Sequence, residues 1–356
     1  MKKRFQSLGL LLVLLLIEHA FAVQVDDLYS ATVPVADFGD AERDRALRRG
    51  LGQVLIKKTG DSAIVDYPAV APLLAGAASY VVEFGYTELP AGKDEKGAPA
   101  VTARYARAEI DRFLRRNQLP IWPASRPRLL VWLVHETGDG DRTFADHETG
   151  ADVYELLERH FERRAAPYRL PLLDLEDSLL LSPDQAWRFE TEAITAAAGR
   201  YRSDAWLVIR YYRTSSGQWR GAWLLGHDSR TELEGATGAS LDGLLARSVD
   251  GAVDALAATL AYRPRATADT LTLSIDGIAS YRDFDGLMSF VAGLTMVQDV
   301  QVERVSGGNV RLIVTVEGER ELLLDNLAAD DRLVVLAGAG PESPLQRLKW
   351  LAGKEQ

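Results

Sequence analysis

The chain of 356 residues contains no cysteine. No disulfide, thiol nucleophile or cysteine-ligated metal is therefore possible, and its stability has to come from buried cores. There are only three methionines and five histidines, and Asp and Glu outnumber Lys and Arg by 51 to 41, giving a net charge of −10. Such an acidic chain is poorly suited to bind nucleic acid or anionic lipid through its overall field. Beyond the first twenty or so residues no apolar run is long enough to span a bilayer as a helix, which takes roughly 20 residues.

The catalytic and cofactor signatures most easily read from a sequence are also missing. No G-x-x-x-x-G-K-[ST] occurs, no G-x-G-x-x-G follows a strand, and there is no G-x-S-x-G elbow or H-E-x-x-H. "GDGD" at 138–141 follows a strand pattern, but its carboxylates would repel a phosphate. No cofactor is expected on these grounds.

What is present begins with "MKKRFQSLGLLLVLLLIEHAFA": three basic residues, a short apolar stretch and an A-x-A site. This reads as a secretory signal peptide, residues 1–22, cut after Ala22 and delivering the chain to the periplasm. No cysteine stands near the site to carry a lipid.

After it, "YSATVPVADFGDAERDRALRRGLGQVLIKKTGD" reads as a strand ending near Pro34, then an amphipathic helix with Asp40 as N-cap, Leu47, Leu51, Val54 and Leu55 as its apolar stripe, and Gly60 as its stop. Its arginines, 43, 45, 48 and 49, read as a solvated face. Two strands and a helix with Ile110, Phe113 and Leu114 inward complete an N-terminal α+β module, 23–124, closed by the proline-rich "PIWPASRP".

A central mixed-sheet α/β module is expected over 125–265. It contains the strand "RLLVWLV", a helix carrying Val153, Leu156, Leu157, His160 and Phe161, a short strand "YRLPLLDLED", a helix capped by Ser182 and Pro183, the strands "DAWLVIRYYR" and "QWRGAWLLG", and a long closing helix. A third module, 266–338, has the β-α-β-β-α-β order of a ferredoxin-like sandwich, with Ser280 and Asp283 as a capping box. Residues 339–356 read as a tail with one amphipathic turn around Leu345, Leu348 and Trp350. The fold class is thus mixed α/β, or α+β, in three small modules behind a signal peptide.

Three groups of residues are candidates for chemistry. Asp174, Glu176 and Asp177 stand at the end of a short strand, where paired carboxylates would serve a hydrolase or glycan-processing enzyme, although aspartates there also cap helices. Trp122, Trp132 and Trp187 offer ring faces for a sugar or peptide, against the ordinary reading of tryptophan as core. His135, Asp139, Asp141 and His147 fall close together in "HETGDGDRTFADHE" and could take a metal, though their spacing fits no established loop and no metal is assigned.

Four stretches, "LYSATVPVADFGDAERDRALRRGLGQVLIKKTGD", "NQLPIWPASRPRLLVWLV", "LPLLDLEDS" and "GRYRSDAWLVIRYYR", together resemble the proteobacterial envelope family catalogued as domain of unknown function 2066, over about Leu28 to Leu225. The resemblance implies an exported Gram-negative protein and brings no catalytic residue with it. The expectation is a non-catalytic periplasmic adaptor or assembly factor with an unidentified envelope protein as partner, no nucleic acid, no membrane span in the mature chain and an open oligomeric state. Its rivals are the hydrolase built on Asp174 and Asp177 and a glycan- or peptide-binding protein without turnover.

Overall fold

The structure is a computed structural model that describes residues 23–25, 27–89, 98–145, 151–203, 205–265, 267–328, 332–336 and 343–351. The expected signal peptide and His147 lie outside them. The described residues form a mixed α/β fold with ten α-helices and several sheets.

The chain opens with β1 (Val23–Gln24), followed by β2 (Ser30–Pro34), whose Ala31 and Val33 point inward by strand alternation and are buried. Helix α1 (Asp40–Thr59) buries Leu47, Leu51, Val54 and Leu55 as expected and stops at Gly60, in the left-handed region with φ +71°. Its start differs by one residue from the expectation. Gly39 holds the cap position, with its N–H donated to Asp37, and Asp40 is the first helical residue, paired with Arg43 at 2.7 Å. Arg45, three residues on, and Arg49, seven residues on, both reach the buried Glu42, so the exposed basic side chains are tied to the helix by ion pairs. A short α2 (Ala71–Ala75) leads to β3 (Val81–Leu89), β4 (Ala98–Tyr105) and α3 (Arg107–Arg116), in which Ile110 and Leu114 are buried and Phe113 partly so. The strands pair antiparallel in the order β2-β4-β3, which leaves β2 and β3 as edges.

Next come β5 (Ser125–Arg126), which pairs with β1, then β6 (Leu129–Glu136), β7 (Arg142–Phe144), α4 (Ala151–Arg164) and β8 (Tyr168–Arg169). Three helices follow, α5 (Leu175–Leu180), α6 (Pro183–Trp187) and α7 (Thr191–Arg200), then β9 (Ala205–Arg213), β10 (Trp219–His227), β11 (Arg230–Gly238) and α8 (Leu241–Leu260). The sheet order is β11-β10-β9-β6-β7, with β8 alongside the first residues of β6; β6 is parallel to β8 and β9, and the other pairs are antiparallel. Central β6 is covered on both faces. Leu129, Val131 and Leu133 meet α4 and α8, while Leu130, Trp132 and Val134 share a cluster with residues of α6 and α7. This explains its unbroken apolar run. Strand β11 has no counterpart in the sequence reading, because only Ala236 and Gly238 of it are buried and its charged residues line an edge.

The last part consists of β12 (Asp269–Asp276), α9 (Tyr281–Gly293), β13 (Val297–Ser306), β14 (Asn309–Val316), α10 (Arg320–Ala328), β15 (Leu333–Val335) and β16 (Leu345–Trp350). The Ser280–Asp283 capping box is formed. The expected amphipathic turn is instead β16, a strand parallel to β12 that sits between β12 and β15, so the order is β13-β14-β12-β16-β15. Its alternation places Gln346, Leu348 and Trp350 inside and Leu345 outside. Six residues with apolar side chains at positions 345, 348 and 350 suit a helical turn locally; the free edge of β12, far away in sequence, decides otherwise.

Buried charges hold these parts together. The fully buried Arg126 guanidinium lies 3.8 Å from the Trp122 ring centroid and donates to the carbonyls of Pro123, Arg164, Ala165 and Lys57. Burial, and then the neighbouring Arg164, pushes its pKa down to about 9. Arg164, also fully buried, donates to Gly60 O at 2.7 Å and pairs with Asp254 at 2.6 Å and Asp250 at 3.1 Å. Two cations thus meet the carbonyl end of α1, where the helix dipole favours them. Across the first and last sheets, buried Glu317 accepts from Arg115, Tyr262 and Gln298 at 2.8 to 3.0 Å. The apolar side chains of those two sheets form one continuous cluster.

Candidate functional site

The three carboxylates singled out in the sequence do converge, and they converge on a cation. Asp174 is the N-cap of α5 and accepts the Asp177 N–H at 3.0 Å. Arg200, at the end of α7, grips Asp174 through two nitrogens at 2.6 and 2.7 Å, reaches Glu176 at 3.2 Å and bonds Asp177. Buried Asp177 also accepts from the Leu173 N–H and the Tyr201 hydroxyl. The Arg200 hydrogen bond, supported by the backbone N–H of Asp177, holds the Asp174 pKa at about 2. Asp174 is consequently an anion at any physiological pH, and the arrangement is a helix-capping clamp in which one guanidinium engages all three carboxylates.

Behind the clamp lies a cavity of about 270 Å³ between the sheet and α5–α7, with Trp132, Phe144 and Leu181 among its walls. Leu175 and Leu179 of α5 stand exposed, as does Leu172 just before it.

The three candidate tryptophans are separated. Trp122 and Trp132 are 1 % and 2 % exposed, so neither presents an open ring face at the surface, and Trp132 borders the cavity behind the clamp. Trp187 is half-buried, with the guanidiniums of Arg142 and Arg210 at 5.0 and 5.5 Å from its ring centroid. Of the metal candidates, His135 stacks on Tyr211 at 5.7 Å and meets the Thr143 hydroxyl at 3.4 Å, while Asp139 and Asp141 are exposed in the turn after β6. Among the described residues no three His, Cys, Asp or Glu side chains are grouped to hold a metal ion. His160 is a boundary residue bonded to Asp242 at 3.0 Å.

A different surface, which no motif announced, is the aromatic shelf on β3. Phe84 and Tyr86 lie opposite Ala103 and Val101 of β4, so they share the sheet face that α1 covers. The helix packs on β2 and β4. On β3 that face stays open, with Phe84 45 % and Tyr86 44 % exposed and Phe38 61 % exposed beside them. The Phe38 and Tyr86 rings meet edge to face at 5.0 Å, and the Arg43 guanidinium stands 5.8 Å from the Phe84 centroid. An exposed aromatic surface continuous with a core face is the composition of an interaction site.

Residues 22–123, the span that carries this shelf, match a family described as "Domain of unknown function (DUF8605)". No curated protein matches the chain. A solved structure titled "Crystal structure of uncharacterized protein" is similar to 38 % of this chain and 90 % of its own, at 12 % identity and a TM-score of 0.15, a value too low to bear on the fold. No helix among the described residues is long and apolar enough to cross a membrane.

Proposed function

We propose that the chain is an exported, soluble periplasmic protein that works without catalysis, as an adaptor or assembly factor of the cell envelope. The observation that carries this reading is the exposed aromatic shelf formed by Phe84 and Tyr86 of the edge strand β3 with Phe38 beside them, a surface suited to a protein partner. Export rests on the signal-like residues 1–22, and the envelope setting on the resemblance to the proteobacterial family. In this reading the chain consists of three small α/β modules, the last a ferredoxin-like unit enlarged by β16.

The hydrolase alternative requires a carboxyl group able to hold a proton and another free to attack or activate water. The clamp by Arg200 engages the carboxylates of Asp174 and Asp177 instead. In-cell crosslinking at near-native level, followed by mass spectrometry, tests the adaptor reading. One dominant envelope protein should be recovered, and recovery of the uncrosslinked chain alone with several reagents would refute it.

A further inference from the structure

The edges of the sheets are not equally guarded. On β2, Lys57 donates to Ser30 O at 3.0 Å, Arg49 donates to Pro34 O at 3.1 Å, and Pro34 has no N–H to offer. Strand β13 is interrupted by two register shifts and carries Asp299, Glu303 and Arg304. Strand β11 exposes Arg230, Glu232 and Glu234, and β7 and β15 have three residues each. These are the usual devices against edge pairing.

Strand β3 has one irregularity, between Val81 and Glu83, and then runs in unbroken register from Glu83 to Leu89. Among the described residues no other backbone or side-chain group hydrogen-bonds to the outer row of these seven residues. A row of alternating N–H and C=O groups is matched by another extended backbone.

Side chains narrow the choice of occupant. Phe84, Tyr86 and Glu88 alternate onto the α1 face, and Glu83, Gly85 and Thr87 onto the other. Glu83 is engaged by Arg104, whereas Glu88 is exposed with no ion pair among the described residues. A second copy would bring the same carboxylates and a net charge of −10 with it, so self-pairing is opposed by charge.

We infer that β3 accepts an extended segment of a basic protein partner as a fourth strand beside β2-β4-β3. On the α1 face that segment places two apolar side chains against Phe84 and Tyr86 and a Lys or Arg against Glu88. The inference rests on the adaptor reading and specifies how it is carried out.

The test uses the purified chain and four synthetic peptides. Thr-Val-Thr-Val-Thr-Lys-Thr and Thr-Lys-Thr-Val-Thr-Val-Thr present the required face in the two strand directions, and their counterparts carry Glu in place of Lys. Binding is read by fluorescence anisotropy and by amide hydrogen exchange. At least one Lys peptide should bind about fivefold or more tighter than its Glu counterpart, the worth of a modest ion pair. It should slow exchange in Glu83–Leu89 and leave β11 and β13 unchanged. Glu88→Lys, an exposed substitution, should reverse the preference while leaving circular dichroism unaltered.

Equal binding of both charges, no binding up to about 1 mM, or protection in another strand would overturn the inference. So would protection of Glu83–Leu89 by self-association without peptide. An envelope partner crosslinked in cells only away from β3 would sink this mode of binding and leave the adaptor reading standing. Absence of any partner would remove the adaptor reading whatever the peptides do.

Discussion

Substituting Gly60 by alanine tests the junction between α1 and the central sheet. Gly60 has φ +71°, and a Cβ there would lie 2.2 Å from the Cβ of Ala257 on α8 and 2.9 Å from the Trp122 ring. The left-handed conformation costs a non-glycine residue about 1–2 kcal/mol, and overpacking a closed site costs about 1–3 kcal/mol. Gly60→Ala is therefore expected to destabilise the protein by about 2–5 kcal/mol, read as a lower urea midpoint by tryptophan fluorescence.

The steric part can be separated from the backbone part. Ala257→Gly alone should cost about 1 kcal/mol in helix propensity. In the double variant the closest clash is gone, so the cost should fall short of the sum by about 1–2 kcal/mol. Additivity within about 0.5 kcal/mol would show that α1 and α8 do not meet in this way, and the account of a locked junction would fail.

Arg200→Gln should release Asp174 from its depressed pKa of about 2 toward the usual carboxylate range. The stabilisation linked to that shift is present above the ordinary Asp pKa and is lost as pH falls through about 2, so wild type should outlast the variant in acid titrations near neutrality and the two should converge at the acid end. His160 is pushed below its ordinary value by burial, despite Asp242. The unfolded chain then binds more protons just below pH 6.5, so stability should drop as pH falls through that window, and His160→Gln should flatten the slope of midpoint against pH. Trp350→Ala, at a side chain 4 % exposed, should cost about 3–5 kcal/mol; a change under about 1 kcal/mol by thermal melting would mean that β16 does not belong to its sheet.

Local signals made part of this architecture legible. The stripe and glycine stop of α1, the N-cap at Ser182, the capping box at Ser280 and the continuous apolar run of β6 each follow from a few adjacent residues, and each is formed. Features set by distant residues were less legible. The sequence "SPLQRLKWL" says nothing of the open edge of β12, and the polar β11 has too few buried residues to show an alternation. Arg126 and Arg164 look like ordinary surface arginines until the chain end of α1 arrives beside them.

The same distinction applies to the site. "LDLED" announces converging carboxylates, but their neutralising partner Arg200 comes 23 residues after Asp177 and belongs to another helix. "SYVVEFGYTEL" reads as a strand. That α1 stops over β4, leaving Phe84 and Tyr86 open, depends on how sheet and helix meet.

The most direct test of the central claim is site-specific photocrosslinking in cells, with the photoreactive residue at exposed Thr87 of β3 and, separately, at exposed Val305 of β13. A partner adding a strand to β3 predicts one dominant envelope-protein adduct from position 87 and none from position 305. Recovery of the chain without an adduct from position 87 would contradict it.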